Sequence, residues 1–245
     1  MSAWQRCYNA YMTDANRQIE RLVKLADKGK GDDTSLHIVP DHFVDLASNR
    51  FRLAESYERR RLLGSLTATN ADDVQFEDGR FLSVDLSKTR WQKLLLHQIR
   101  MESCDLANAH WTNGILDTSE MHKCRATGFQ FIDSKSTNCL FRQSKLSLAA
   151  FHGSKFCNDR FEDCDLSEAN FEGAELVDVV FRSCDLRLAR FPNCVLRNVD
   201  FRGSHLAEIQ IDVAKLRGLI VDAVQLPDIA ETLGLIVKTI ADDER

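Results

Sequence analysis

Few sets of residues in this sequence have types and spacing that suit a chemical reaction. His97 and Asp117 are twenty residues apart, a separation that would stack them in a coiled chain, but no nucleophile accompanies the pair. A second set could crowd around a metal ion, although Pro40 and its loop-like context weaken that idea; it comprises His37, Asp41, His42 and Asp45. No glycine-rich phosphate or dinucleotide motif occurs. We therefore expect no enzyme activity, no metal and no cofactor.

The cysteines are better explained as core residues than as ligands. The chain has eight cysteines among 245 residues and no CxxC pair. Six of them recur at multiples of five residues, and a free cysteine packs well as a small apolar side chain; they are Cys104, Cys124, Cys139, Cys164, Cys184 and Cys194. Neither a long apolar run nor a signal-peptide pattern is present, so we expect a cytoplasmic protein without a membrane segment.

A strict five-residue repeat organises residues 74–226. The third residue of each group is large and apolar, as in Phe76, Phe81 and Leu86, and the residue two places before it is usually small. Glycine or asparagine often follows two places after it, where a turn with positive φ would need them. Neither a helix nor a flat strand has this period, so the pattern predicts a solenoid of stacked units.

The repeat resembles the pentapeptide-repeat family, whose pattern is A(D/N)LXX. The best matches are Cys164-Asp165-Leu166-Ser167, Ala169-Asn170-Phe171 and Cys184-Asp185-Leu186-Arg187. The resemblance implies a mainly β protein, a right-handed quadrilateral β-helix with four groups per coil. It implies less about function, because members of the family do several different things.

The segments around the repeat suggest additions at both ends. Residues 1–30 read as an amphipathic helix, and residues 31–73 as a linker, a partial coil near Val44 and Leu46, and a helical or looped excursion over 54–65. The excursion is expected because Arg61 would otherwise point inward, where an unpaired charge is costly. Residues 227–245 read as a cap with a helix ended by Gly234 and a strand over 235–240, and this end resembles that of the quinolone-resistance members, which dimerise tail to tail. The candidate cap or dimer residues are Leu226, Ile229, Leu233, Leu235 and Val237.

Two irregularities interrupt the inward columns. Ala126 replaces a large residue, and the ring of Phe129 is expected to fill the space. Asp159 replaces a small one, and we expect backbone N–H groups or a buried water to satisfy its carboxyl group.

Two functions fit a solenoid that lacks a catalytic cleft. The first is a protein-binding scaffold without direct nucleic-acid contact. The alternative, implied by the resemblance, is a DNA-mimicking modulator of type II topoisomerase, with DNA gyrase or topoisomerase IV as partner and a homodimer formed through the C-terminal segment. An acidic belt favours the alternative, but it encircles one coil instead of forming rows along the rod; it comprises Glu162, Asp163, Asp165, Glu168, Glu172, Glu175 and Asp178.

The N-terminal helix has a predicted place to bind. Leu95 and Ile115 share an outward column one coil apart, and adjacent exposed apolar groups usually mark a contact. The helix stripe of Trp4, Tyr8 and Tyr11 is the expected partner, although the helix could instead bind another protein.

Overall fold

The computed structural model describes residues 44–47 and 56–238, and it is a parallel β-solenoid of about eight turns. The helix predicted at residues 1–30 lies outside the described residues. The strands are Val44–Ala47, Ser56–Glu58, Arg60–Leu63, Asn70–Asp72, Gln75–Leu82, Arg90–Gln92, Leu95–Glu102, His110–Thr112, Ile115–Asp117, Glu120–His122, Gln130–Ile132, Lys135–Thr137, Leu140–Arg142, Lys155–Cys157, Arg160–Glu162, Glu175–Val177, Val180–Arg182, Arg190–Phe191, Val195–Arg197 and Gln210–Ile211.

Strand pairing gives each coil four faces. Residues twenty apart are neighbours in parallel ladders, so that Phe76 lies beside Leu96 and Trp91 beside Trp111. We number the faces by their first large residue in the unbroken repeat: face 1 from Phe76, face 2 from Phe81, face 3 from Leu86 and face 4 from Trp91. Faces 1 and 2 join in one sheet of fourteen strands, face 3 is held by isolated bridges, and face 4 forms smaller sheets.

The large apolar column fills the interior. Phe161 is fully buried, with its ring stacked 4.5 Å from Phe141 and 4.9 Å from Phe181. Like side chains stack because the coil returns each of them to the same face. Between Ala68 and Glu208, the turn two residues after each large side chain has positive φ, including at Lys88 (58°) and Leu148 (59°). Glycine and asparagine are therefore not required at these turns, contrary to what the sequence pattern suggests.

The coil begins earlier than residue 74, and the excursion expected over 54–65 is wrong for residues 56–63. These residues form two strands of the first described coil. Leu62 pairs with Phe81, nineteen residues on, whereas Ser65 pairs with Asp85, twenty residues on. This coil therefore has one residue fewer, and the shift places Leu62 in the core in place of Arg61. The strand Val44–Ala47 pairs in parallel with Arg60–Leu63, sixteen residues on, so it does not share the twenty-residue register of the main repeat.

The predicted packing of cysteine and aromatic residues is confirmed. The six cysteines of the small column are free and buried. Phe129 is buried, with its ring edge-on to Trp111 at 5.1 Å, so it occupies interior space beside the small Ala126.

The C-terminal end closes the last coil with helical turns. Short 3-10 helices at Val213–Lys215 and Ala223–Gln225 lead into the α-helix Leu226–Thr232. The buried Gln225 donates hydrogen bonds to the carbonyl oxygens of Phe201 and Ser204 at the end of the stack. Gly234 follows with a φ of 71°. The strand expected over 235–240 is not formed by residues 235–238, which have no regular secondary structure.

Candidate functional site: the outer surface of the solenoid

Two carboxylates of the acidic belt, Glu162 and Glu175, pair with basic side chains. Glu162 lies within ion-pair distance of Arg142 (3.4 Å) and Arg160. Glu175 lies 3.3 Å from Lys155 and 3.6 Å from Arg197. Because bases lie beside Glu162 and Glu175 along the solenoid axis, these two carboxylates are not part of an acidic row.

The remaining belt carboxylates are bound locally or exposed. Glu172 lies 3.4 Å from His152, Asp178 accepts a hydrogen bond from Asn198, and Asp165 accepts from the backbone and hydroxyl of Ser167. Asp163 and Glu168 occupy exposed turn positions.

His97 and Asp117 form the stacked pair predicted from their spacing. Their strands are adjacent, and the His97 Nδ1 lies 2.8 Å from an Asp117 carboxylate oxygen. The hydrogen bond to Asp117 raises the pKa of His97, and the negative charges of Asp117 and Glu77 act in the same direction. Within the described ranges, no three His, Cys, Asp or Glu side chains converge as a metal site would require. Of the proposed metal set, His37, Asp41 and His42 lie outside the described residues.

Asp159 is a buried carboxyl group in the interior. Its Oδ1 accepts a hydrogen bond of 2.7 Å from the Cys139 backbone N–H, the kind of partner expected from the sequence. Its Oδ2 has no partner, and neither does the buried Ser136 Oγ. Burial raises the pKa of Asp159 to about 8, against the opposing effect of the Cys139 hydrogen bond. The side chain is therefore protonated at neutral pH.

The predicted docking pair is adjacent but only partly exposed. Leu95 and Ile115 are paired in register, and each is half-buried. The proposed partners Trp4, Tyr8 and Tyr11 lie outside the described residues.

The C-terminal segment exposes more apolar surface than the sequence pattern suggested. Of the predicted residues, Ile229 packs against the core, whereas Leu226, Leu233, Leu235 and Val237 are 44–56% exposed. Val224 and Ile236 are more exposed still, at 84% and 85%, and were not predicted. Neither residue falls on the apolar stripe of the predicted helix. Only their apolar side chains, close to the cap in the sequence, could have indicated that they belong to this surface. We call the exposed residues Val224, Leu226, Leu233, Leu235, Ile236 and Val237 the C-terminal apolar cluster.

A concave surface on faces 3 and 4 was also missed. It lies between the turn row containing Lys88 and Asn108 and the strand row containing Arg90 and His110. The separation of twenty residues within each row could have indicated from the sequence that these side chains lie together.

The fold and register define the class of this protein. The family model described as "Pentapeptide repeat region" matches residues 134–211, and the same twenty-residue pairing runs through the other described coils that follow residue 64. Residues 134–211 are therefore a pentapeptide-repeat region, and the neighbouring described coils share its register.

Similar folds occur among solved structures at low identity. QnrB1, a plasmid-mediated fluoroquinolone resistance protein, is 20% identical, with 74% of this chain and 100% of that chain covered and a TM-score of 0.36. HetL, a protein involved in heterocyst differentiation regulation from the cyanobacterium Nostoc sp., is 15% identical, with 82% and 95% covered and a TM-score of 0.35. No curated protein matches the chain. Among the described residues, no helix is long and apolar enough to cross a membrane.

Proposed function

We propose that this protein is a non-catalytic scaffold that binds other proteins through the outer surface of its solenoid and pairs with a second copy through its C-terminal apolar cluster. The observation that carries the proposal is the exposure of six large apolar side chains within residues 224–237. Single exposed leucines are ordinary on a protein surface, but a concentrated group of this kind marks an interaction site.

One side of the cap packs against the last coil, and the other side is exposed to solvent. Ile229 packs against the last coil, and Gln225 bonds to its carbonyl groups. Leu226 begins the helix and Leu233 caps its C-terminus, yet both stay exposed, and the chain after Gly234 adds Leu235 and Ile236. A second copy could cover this surface through a two-fold interface, in which the same patch contributes from both chains.

Light scattering on the purified protein tests the pairing. We expect a dimer for the natural chain and a monomer for Ile236→Glu, because a charge buried in an apolar interface is strongly unfavourable. Ile236 is 85% exposed, so this substitution should leave the fold intact. Leu148→Glu is the matched control, since Leu148 is 56% exposed on the side of the solenoid. A monomeric natural chain would remove the pairing from the proposal.

The alternative is a modulator of type II topoisomerase. The observation in its favour is the solenoid itself: about eight turns at a spacing of about 4.8 Å give a length near 38 Å, which tail-to-tail pairing would double. The basic partners of Glu162 and Glu175 weigh against it, because they interrupt the negative charge that a DNA mimic needs. A gyrase supercoiling assay decides between the two: protection from a quinolone would support the alternative, and no effect at excess protein would remove it.

The N-terminal segment is proposed to bind at Leu95 and Ile115. Limited proteolysis tests this, because a docked helix would protect the chain near Lys28. Prompt cleavage there with release of residues 1–28 would argue for a partner-binding role instead.

A further inference from the structure

A groove on the first coils is lined by hydrogen-bond donors and contains no acid. It has a volume of about 480 Å³. Its polar lining comprises Asn70, Lys88, Arg90, Asn108, His110 and Gln130. The strand row Asn70, Arg90, His110 and Gln130 is paired in register on face 4, so successive side chains are about 4.8 Å apart. Lys88 and Asn108 occupy the neighbouring turn row at the end of face 3.

The cations of this groove lack the carboxylate partners that most arginines of the described solenoid have. Nine other arginines lie within 4.0 Å of a carboxylate: Arg59, Arg100, Arg125, Arg142, Arg160, Arg182, Arg187, Arg197 and Arg202. In the described part of the chain, Arg90 and Lys88 have no such partner, and the ring of His110 has no hydrogen bond. Arg190 also lacks one, but it lies five coils away and does not line the groove.

The floor of the groove is rigid. Trp91 and Trp111, the inward neighbours of Arg90 and His110, stack at 5.6 Å with an interplanar angle of 3°. Their indole N–H groups donate to the hydroxyl oxygens of Thr69 and Thr89. Because these contacts hold the residues next to Arg90 and His110 in place, the row keeps its spacing without a ligand.

We propose that this groove binds a single phosphate group carried by a small ligand or a side chain. Arginine and lysine supply eight N–H donors and two positive charges, and the amides of Asn70, Asn108 and Gln130 add neutral donors. Phosphate offers more acceptor oxygens and more negative charge than a carboxylate, and arginine binds it in a bidentate manner. A nucleic acid is not the expected ligand, because the cations form one compact group on a chain of net charge −5. Phosphate binding at this groove is a property separate from the proposed scaffold function, and it does not depend on which protein the scaffold binds.

Titration calorimetry with inorganic phosphate tests the proposal, with chloride keeping the ionic strength constant. We expect saturable binding to the natural chain and to Arg190→Gln. Binding should weaken by about tenfold or more in Arg90→Gln, because at least one charge-assisted hydrogen bond is lost. Arg90 is exposed, so the substitution should leave the fold unchanged, as circular dichroism would verify.

The outcomes separate the proposal from general charge attraction. An equal loss in Arg90→Gln and Arg190→Gln, or no saturable binding to the natural chain, would overturn it. Acetate binding as tightly as phosphate would overturn the choice of phosphate. Phosphoserine or adenosine monophosphate binding more tightly than free phosphate would support it and indicate the carrier. None of these results depends on dimerisation or on a topoisomerase.

Discussion

Replacing Asp159 by asparagine should stabilise the protein at neutral pH but not in mild acid. The carboxyl group is fully buried, its Oδ1 has one donor, and its Oδ2 has none. Asparagine keeps an oxygen for the Cys139 N–H and resembles the protonated acid in shape. It carries no charge at any pH in the range, so it removes only the titration.

The sign and size of the effect follow from the pKa. Burial raises the pKa of Asp159 from an ordinary value near 3.8 to about 8. The unfolded chain releases the proton above about pH 3.8 while the folded chain keeps it, so the natural protein loses stability as pH rises from there to about 8. At pH 7 this loss is about 4 kcal/mol, from roughly 1.4 kcal/mol for each pH unit. The asparagine variant should not lose this stability as pH rises.

Urea unfolding of both proteins between pH 4 and pH 8.5, followed by the fluorescence of the buried Trp91 and Trp111, measures the difference. The gain in the free energy of unfolding should be near zero at pH 4 and grow steadily to pH 8. Asp163→Asn, which removes an exposed carboxylate on the next turn, serves as the control and should show no such slope. A difference that stays constant with pH, or a variant less stable than the natural protein at pH 8, would refute the reasoning.

Three further substitutions test the register and the outer rows. Phe161→Asp should lower the melting temperature sharply, because it removes a fully buried ring worth about 3–5 kcal/mol and adds an unpaired charge; an unchanged melting temperature would contradict the register. His97→Gln should destabilise more at pH 5.5 than at pH 8.5, because the raised pKa of His97 gives stability that is present below about pH 6.5 and lost as pH rises through the folded-state pKa; equal losses in urea unfolding at both pH values would count against the Asp117 pair. Leu148→Asn should raise the free energy of unfolding by about 0.5–1 kcal/mol, because Leu148 is exposed at a φ of 59° and asparagine tolerates that conformation better; a destabilised variant would show that Leu148 has a structural role.

The sequence predicted the interior well because each inward side chain recurs at a fixed period. The inward orientation of Phe161, Phe181 and the other large apolar residues could be predicted from this period. The stacking of His97 on Asp117 could be predicted in the same way. The coil containing Leu62 was missed because it has one residue fewer, and a fixed period cannot register such a shift. Only pairing with Phe81 and Asp85 shows where it occurs.

The outer surface was harder to predict because its contacts cross between coils. Glu162 and Glu175 looked like parts of an acidic belt until Arg142, Lys155 and Arg197 were placed beside them. The exposure of Val224 and Ile236 depends on which side of the cap packs against the last coil, which helical spacing alone did not fix. The phosphate groove depends on the absence of acids near Arg90, a feature that appears only when neighbouring rows are placed together.

Crosslinking at the cap tests most directly whether the protein works as a paired scaffold. Cysteine is introduced at Ile236, Val237 or Leu148 in a background carrying Cys7→Ser and Cys157→Ser, and a short bismaleimide linker is added. The buried cysteines should not react. The account predicts a covalent dimer for Ile236→Cys and Val237→Cys and none for Leu148→Cys. Monomer from all three, or equal dimer from all three, would contradict it.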